Sequence, residues 1–138
     1  MKRLLAMPFL PALALALLLA APGCQRDLPP DAAYRALVRA MAERDEAAAW
    51  NLLSAGTQAR LAERARVAAA AAPGVVPPSA RAMLAGDAPL AVRPPTSITV
   101  VQSGPDRAVL RVEAPGAGPA DVVLVRERGS WRVDLPVQ

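Results

Sequence analysis

The hydrophobic period of this chain changes once, at Pro95, from helical spacing to alternation, and that single change restricts the folds open to it. Before it, Tyr34, Leu37, Val38 and Met41 fall at i, i+3, i+4 and i+7, the apolar stripe of an amphipathic helix, with Arg35, Arg39 and Glu43 opposite. Asp31, after two prolines, is the expected N-cap. Asp45 is placed to cap a second, short helix through Trp50, Leu52 and Leu53 that ends at Gly56. A third begins at Thr57, turns Leu61 and Val67 inward, and runs through the alanines 68–72 until Pro73-Gly74 stops it. Residues 73–95, with Pro77, Pro78, Pro94 and Pro95, read as a linker that a short helix from Ser79 to Ala85 interrupts.

After Pro95, four runs alternate as strands do: Thr96 to Gln102, Arg107 to Glu113, Asp121 to Glu127, and Trp131 to Leu135. The links between them are short, so neighbours pair antiparallel as a meander. Ile98, Val100, Ala108, Leu110, Val112, Val122, Leu124, Trp131, Val133 and Leu135 share one face. The expected fold is α+β: N-terminal helices packed on one face of a curved antiparallel four-stranded meander. The core is expected to draw on Tyr34, Leu37, Val38, Met41, Trp50, Leu53, Leu110, Leu124, Trp131 and Val133.

The first residues set where such a domain is delivered. Lys2 and Arg3 are followed by a charge-free run from Leu4 to Gly23, rich in Leu and Ala, the arrangement of an export signal. An uncleaved membrane-spanning helix is the rival reading for a run of this length, and Pro8, Pro11 and Pro22 oppose it. Cys24, the one cysteine in the chain, stands where the apolar run meets polar sequence and has no partner for an internal disulfide. The segment Leu19-Ala20-Ala21-Pro22-Gly23-Cys24 resembles the lipobox of bacterial lipoproteins. Gly23 fits that pattern, while Ala21 and Pro22 stand where it usually has Leu and then Ala or Ser.

That resemblance implies cleavage between Gly23 and Cys24, a diacylglycerol on the Cys24 thiol, and a protein held to the membrane through that lipid. It divides the chain into a signal peptide (1–23), a lipidated tether (24–30) and one α+β domain (31–138, with helices over 31–72, the linker over 73–95 and the meander over 96–135). Gln25 is not the Asp that typically retains such proteins at the inner membrane, so the outer membrane of a bacterial envelope is the expected address. Two acyl chains hold a protein firmly, because each buried methylene contributes about 0.8 kcal/mol.

The domain pattern carries a second resemblance. Ala36 to Ser54, with Glu43-Arg44-Asp45 before Ala49-Trp50-Asn51-Leu52-Leu53-Ser54, and the hairpin Val125-Arg126-Glu127-Arg128-Gly129-Ser130-Trp131-Arg132-Val133-Asp134-Leu135 resemble the nuclear transport factor 2-like superfamily, whose cystatin-like domains seat helices in a curved sheet. An Ala/Pro-rich stretch replaces that family's early strands. The likeness implies a cone between helices and sheet able to take a small apolar ligand or lipid. In superfamily enzymes such as ketosteroid isomerases it also holds an Asp base.

Composition excludes several function classes. Losing Lys2 and Arg3 with the leader leaves 14 arginines against 12 carboxylates, interspersed and without the basic stripe that nucleic-acid binding needs. The chain has no histidine and no second cysteine, which removes the usual neutral-pH base, the Ser-His-Asp arrangement and imidazole or thiolate metal sites. No calcium-loop spacing appears. Asp31 and Asp45 read as caps, Tyr34 and Trp131 as packing, and no cofactor, metal or catalytic residue is implied. Carboxylate chemistry is the remaining enzymatic alternative. On the sheet face away from the helices, Val101, Val109, Val123 and Val125 stand beside Arg107, Arg111 and Arg132, where a half-exposed sheet should be polar. That patch is a candidate surface for a protein partner or homodimer. The resulting expectation is a non-enzymatic binding or scaffolding module.

Overall fold

The structure is a computed structural model and describes residues 27–75, 79–85 and 92–137. Gly23 and Cys24, and with them the whole leader 1–23, lie outside those residues. What is described is an α+β fold in which helices pack against a four-stranded antiparallel sheet.

Helix α1 (Pro30–Ala42) starts one residue before the expected cap. Proline suits the first helical position because its ring fixes a helical φ and the missing N–H has no helical partner there. Asp31 therefore does not cap the helix. It sits inside the first turn, where a carboxylate opposes the positive end of the helix dipole. The other end closes as a Schellman motif: Asp45 N–H donates to Ala40 at 2.9 Å, and Arg44 N–H to Met41 at 3.2 Å. Arg44 takes the left-handed conformation usually left to glycine (φ 55°).

Helix α2 (Glu46–Leu52) is capped by Asp45, whose Oδ1 accepts from Ala48 N–H at 3.0 Å. It does not run through Leu53 to Gly56. Leu53 is extended and bridges Val133 in parallel, and Ser54 N–H donates to the Val133 carbonyl at 2.9 Å. The demand to reach the sheet ends the helix early. Ser54, not Thr57, then caps α3 (Ala55–Ala71), accepting from Thr57 N–H at 3.0 Å. Gly56 lies in the first turn of α3, where an added Cβ would come within 3.3 Å of Arg60 and 3.5 Å of Asp134. On α3, Thr57, Leu61 and Ala65, four residues apart, share the buried face, and Val67, expected inside, is 53% exposed because six residues from Leu61 carry it round to the other side of the helix. In the linker, α4 (Ala82–Ala85) is shorter than the expected Ser79–Ala85 helix.

The sheet runs in the order β1 (Ser97–Ser103), β2 (Arg107–Ala114), β3 (Ala117–Glu127), β4 (Ser130–Asp134), every neighbour antiparallel. Two corrections apply to it. Residues 114–119, read as a loop, contain only a two-residue turn at Pro115-Gly116, with Gly116 supplying the positive φ (70°), so Gly118 and Pro119 belong to β3. Pro119 is tolerated because it falls at the register shift between Val112 and Ala114, where a ladder bond is already interrupted. Second, the register also shifts between Val100 and Gln102 on edge strand β1, and Val100, expected inside, is 45% exposed.

Leu110, Leu124 and Val133 from three adjacent strands meet Leu37 of α1, Leu53 and Leu61, all fully buried. Around them Tyr34, Trp131, Ala108 and Val112 complete the core, with Val38, Met41 and Trp50 half-buried against it. The Leu53–Ser54 segment covers the free edge of β4, one of the ways proteins blunt an edge open to further pairing.

Candidate functional site

The first described residue, Asp27, is already fixed to the domain. Its carboxylate accepts from the Arg126 guanidinium near the end of β3, and Arg126 also lies over the Trp131 ring, 5.7 Å from its centroid. The tether thus meets the body beside the β3–β4 turn, Arg128-Gly129. Both turn residues have positive φ (52° and 81°), the geometry that matches the twist of a two-residue hairpin.

Beside that turn opens a cleft of about 450 Å³, lined by Trp50, Asn51, Gln58, Arg81, Glu127, Arg128 and Arg132 among others. Glu127 faces the N-terminus of α3 and accepts from Ala55 N–H at 3.0 and 3.2 Å. Gln58 donates to the Trp50 carbonyl at 2.8 Å, Arg132 donates to the Asn51 carbonyl, and Arg81 stacks over Trp50 at 5.7 Å. Three arginines therefore line the cleft with one carboxylate that is already engaged.

A second cleft, of about 470 Å³, opens between α1 and the far end of the sheet. Its walls are mostly apolar (Tyr34, Val92, Val112, Ala120, Val122, Leu135), with Arg93 and Asp121 also lining it. Burial pushes the Tyr34 hydroxyl above its ordinary pKa, so it stays protonated through the neutral range.

The most polar buried cluster was not legible in the sequence. Oδ1 of Asp134 accepts from Ser54 Oγ at 2.5 Å, Arg60 Nη2 at 2.8 Å and Thr57 Oγ1 at 3.1 Å. Thr57 Oγ1 in turn accepts from Leu135 N–H at 2.8 Å, and Arg60 reaches the Leu135 carbonyl at 2.8 Å. Ser54 and Thr57 are buried, and their hydroxyl oxygens also lie 3.0 Å from each other. The cluster ties the cap of α3 to the end of β4. Both hydroxyl oxygens accept from backbone N–H groups, Ser54 Oγ from Thr57 and Thr57 Oγ1 from Leu135, so the cluster satisfies itself. The S-x-x-T pair at 54 and 57 signals the cap of α3, but nothing in it points to Asp134.

On the outer sheet face, Val109 sits opposite Val123, with Val125 two residues along β3. These three valines are half-buried, while Val101, at the β1 bulge, is exposed. Arg111 forms a paired contact with Asp121 at 2.9 and 3.0 Å, and Arg107 is exposed. Among the described residues no three His, Cys, Asp or Glu side chains gather as a metal site, and no helix is long and apolar enough to cross a membrane. No protein family, no curated protein and no solved structure was found to match this chain.

Proposed function

We propose that this protein is a lipid-anchored lipoprotein of the bacterial envelope, a non-enzymatic binding or scaffolding module with a nuclear transport factor 2-like domain. The observation that carries the reading is the position of Cys24: it ends a charge-free run of 20 residues and lies three residues before Asp27, where the chain is already seated on the folded body. A lipid there would hold the domain against the membrane with almost no free tether. Gln25 favours the outer membrane. The non-enzymatic part is supported by the chemistry of the buried polar groups, since Ser54, Thr57 and Asp134 satisfy one another, and the inner sheet face is aliphatic around Trp131.

Replacing Cys24 by Ala removes the only thiol. The full chain expressed in a Gram-negative host is expected to lose residues 1–23 and to take up a labelled fatty acid, and the C24A chain to take up none. A wild-type chain that keeps residues 1–23 and takes up no label would instead support the spanning-helix reading.

The second reading, a carrier of a small apolar ligand, is favoured by the cleft beside Tyr34. It predicts lipid or another apolar molecule copurifying with the protein in native mass spectrometry, lost when Ala120→Trp fills the cleft. A protein that carries nothing, and exposes no ligand on denaturation, removes this reading.

A further inference from the structure

The ion pair between Asp27 and Arg126 fixes where the chain leaves the body, and therefore which end of the domain an anchor at Cys24 would turn toward the bilayer. Cys24 is three steps along the chain from Asp27, and extended chain covers at most about 3.3–3.6 Å per residue, so an anchor there emerges within about 11 Å of Asp27. The β3–β4 turn and the cleft beside it lie at that end.

The charge there is asymmetric. Arg81, Arg128 and Arg132 line the cleft with Glu127, which is held on the N-terminus of α3. Arg107 lies at the same end, paired across the ladder with Val125 and next to Asp106, and Arg126 there is paired with Asp27, which makes five arginines against three carboxylates. The opposite end of the sheet, around the Pro115-Gly116 turn, carries Glu113 and Asp121 against Arg93 and Arg111, and Arg111 is paired with Asp121. The end toward the anchor is therefore basic and the far end balanced.

Resting on the lipid-anchor reading, we propose that the Arg81–Arg128–Arg132 cleft is a headgroup site that docks the domain, β3–β4 turn downward, on the phosphates of an anionic phospholipid bilayer. Guanidinium forks match phosphate oxygens, and each basic residue near an anionic surface adds a favourable, salt-sensitive contribution. The cleft is wide enough for a phosphate between three arginines, and Arg81 is held over Trp50 at its wall. The lipid would supply attachment, and the cleft would set orientation.

The test uses the full lipidated protein in vesicles of phosphatidylglycerol and phosphatidylcholine bearing a headgroup quencher. A fluorophore is attached through Ser130→Cys beside the turn or, separately, through Gly118→Cys at the far end, where the backbone is open. The expected result is quenching at position 130 several-fold greater than at position 118. The difference should shrink in pure phosphatidylcholine, in high salt and in the Arg128→Glu/Arg132→Glu background. Equal quenching at both positions with Cys24 acylated by intact mass would overturn the orientation alone and leave the cleft to an acidic protein surface. An unacylated Cys24 in the same sample would overturn both the orientation and the anchor on which it rests. A circular-dichroism melt confirms that each variant folds.

Discussion

Leu124→Ala is expected to destabilise the domain by about 2–5 kcal/mol, the range for removing a fully buried leucine from a packed interior. Leu124 has no exposed surface and sits on an inner strand, paired with Ala108 on β2 and Val133 on β4, themselves fully buried. Its side chain has a neighbouring strand on each side and helices above, so relaxation can fill little of the space it leaves. For a domain of this size each kcal/mol moves Tm by roughly 4–8 °C, so the loss is expected to reach ten degrees or more. The control is its neighbour in sequence. Val123 points to the other side of the sheet and is half-buried, so Val123→Ala should cost under about 1 kcal/mol by thermal or urea unfolding. Equal losses for the two would mean that the outer face is also a core.

Asp134 gives the second large effect. Asp134→Ala removes the common acceptor of Ser54, Thr57 and Arg60 and leaves the two hydroxyls poorer partners, Thr57 Oγ1 for Ser54 and the Leu135 carbonyl at 3.4 Å for Thr57. Bonds to a charged group contribute about 1.5–3 kcal/mol and a buried donor left poorly satisfied costs up to about 1–3, so a loss of roughly 2–4 kcal/mol is expected. Asp134→Asn keeps an oxygen in place and should lose less. It should also change the pH dependence. Burial raises the Asp134 pKa, but the bonds from Ser54, Arg60 and Thr57, with the charge of Arg60, outweigh it and hold the carboxyl below its usual value. A group depressed in the folded state contributes stability that is present above its unfolded pKa, near 4, and is lost as pH falls through the folded value. Wild-type stability should therefore decline on acidification below about pH 4 more steeply than that of the Asp134→Asn protein. Glu63 and Asp121, lowered by bonds from Arg66 and Arg111, act in the same acidic window in both proteins, so the difference isolates Asp134.

The contrast between these two residues marks how far the sequence could be read. Leu124 announces itself, because alternation assigns a face to every residue of a regular strand and a one-residue shift would expose the whole row. The α+β order, the meander and the apolar stripe of α1 followed from that same local periodicity. What escaped depends on contacts distant in sequence. Ser54 and Asp134 are 80 residues apart, and nothing local distinguishes a serine that binds a strand end from one that faces water. The same distance effect moved the start of α3: Leu53 leaves the helix to reach Val133, so the cap falls on Ser54. Val100 does keep the face of its partner Leu110, but it stands 45% exposed because edge strand β1 has a neighbour on one side only. The basic cleft is scattered across residues 81, 128 and 132, so it too exists only once the chain has folded.

The seat of Asp27 on Arg126 brings the folded body within a few residues of Cys24, and the account depends on that thiol being the attachment point. Intact-mass spectrometry of the protein extracted from its native membrane with detergent tests this directly. The predicted species begins at Cys24 and carries the added mass of a glyceride with its acyl chains. A chain that begins at Met1 with a free thiol at Cys24 would contradict the account.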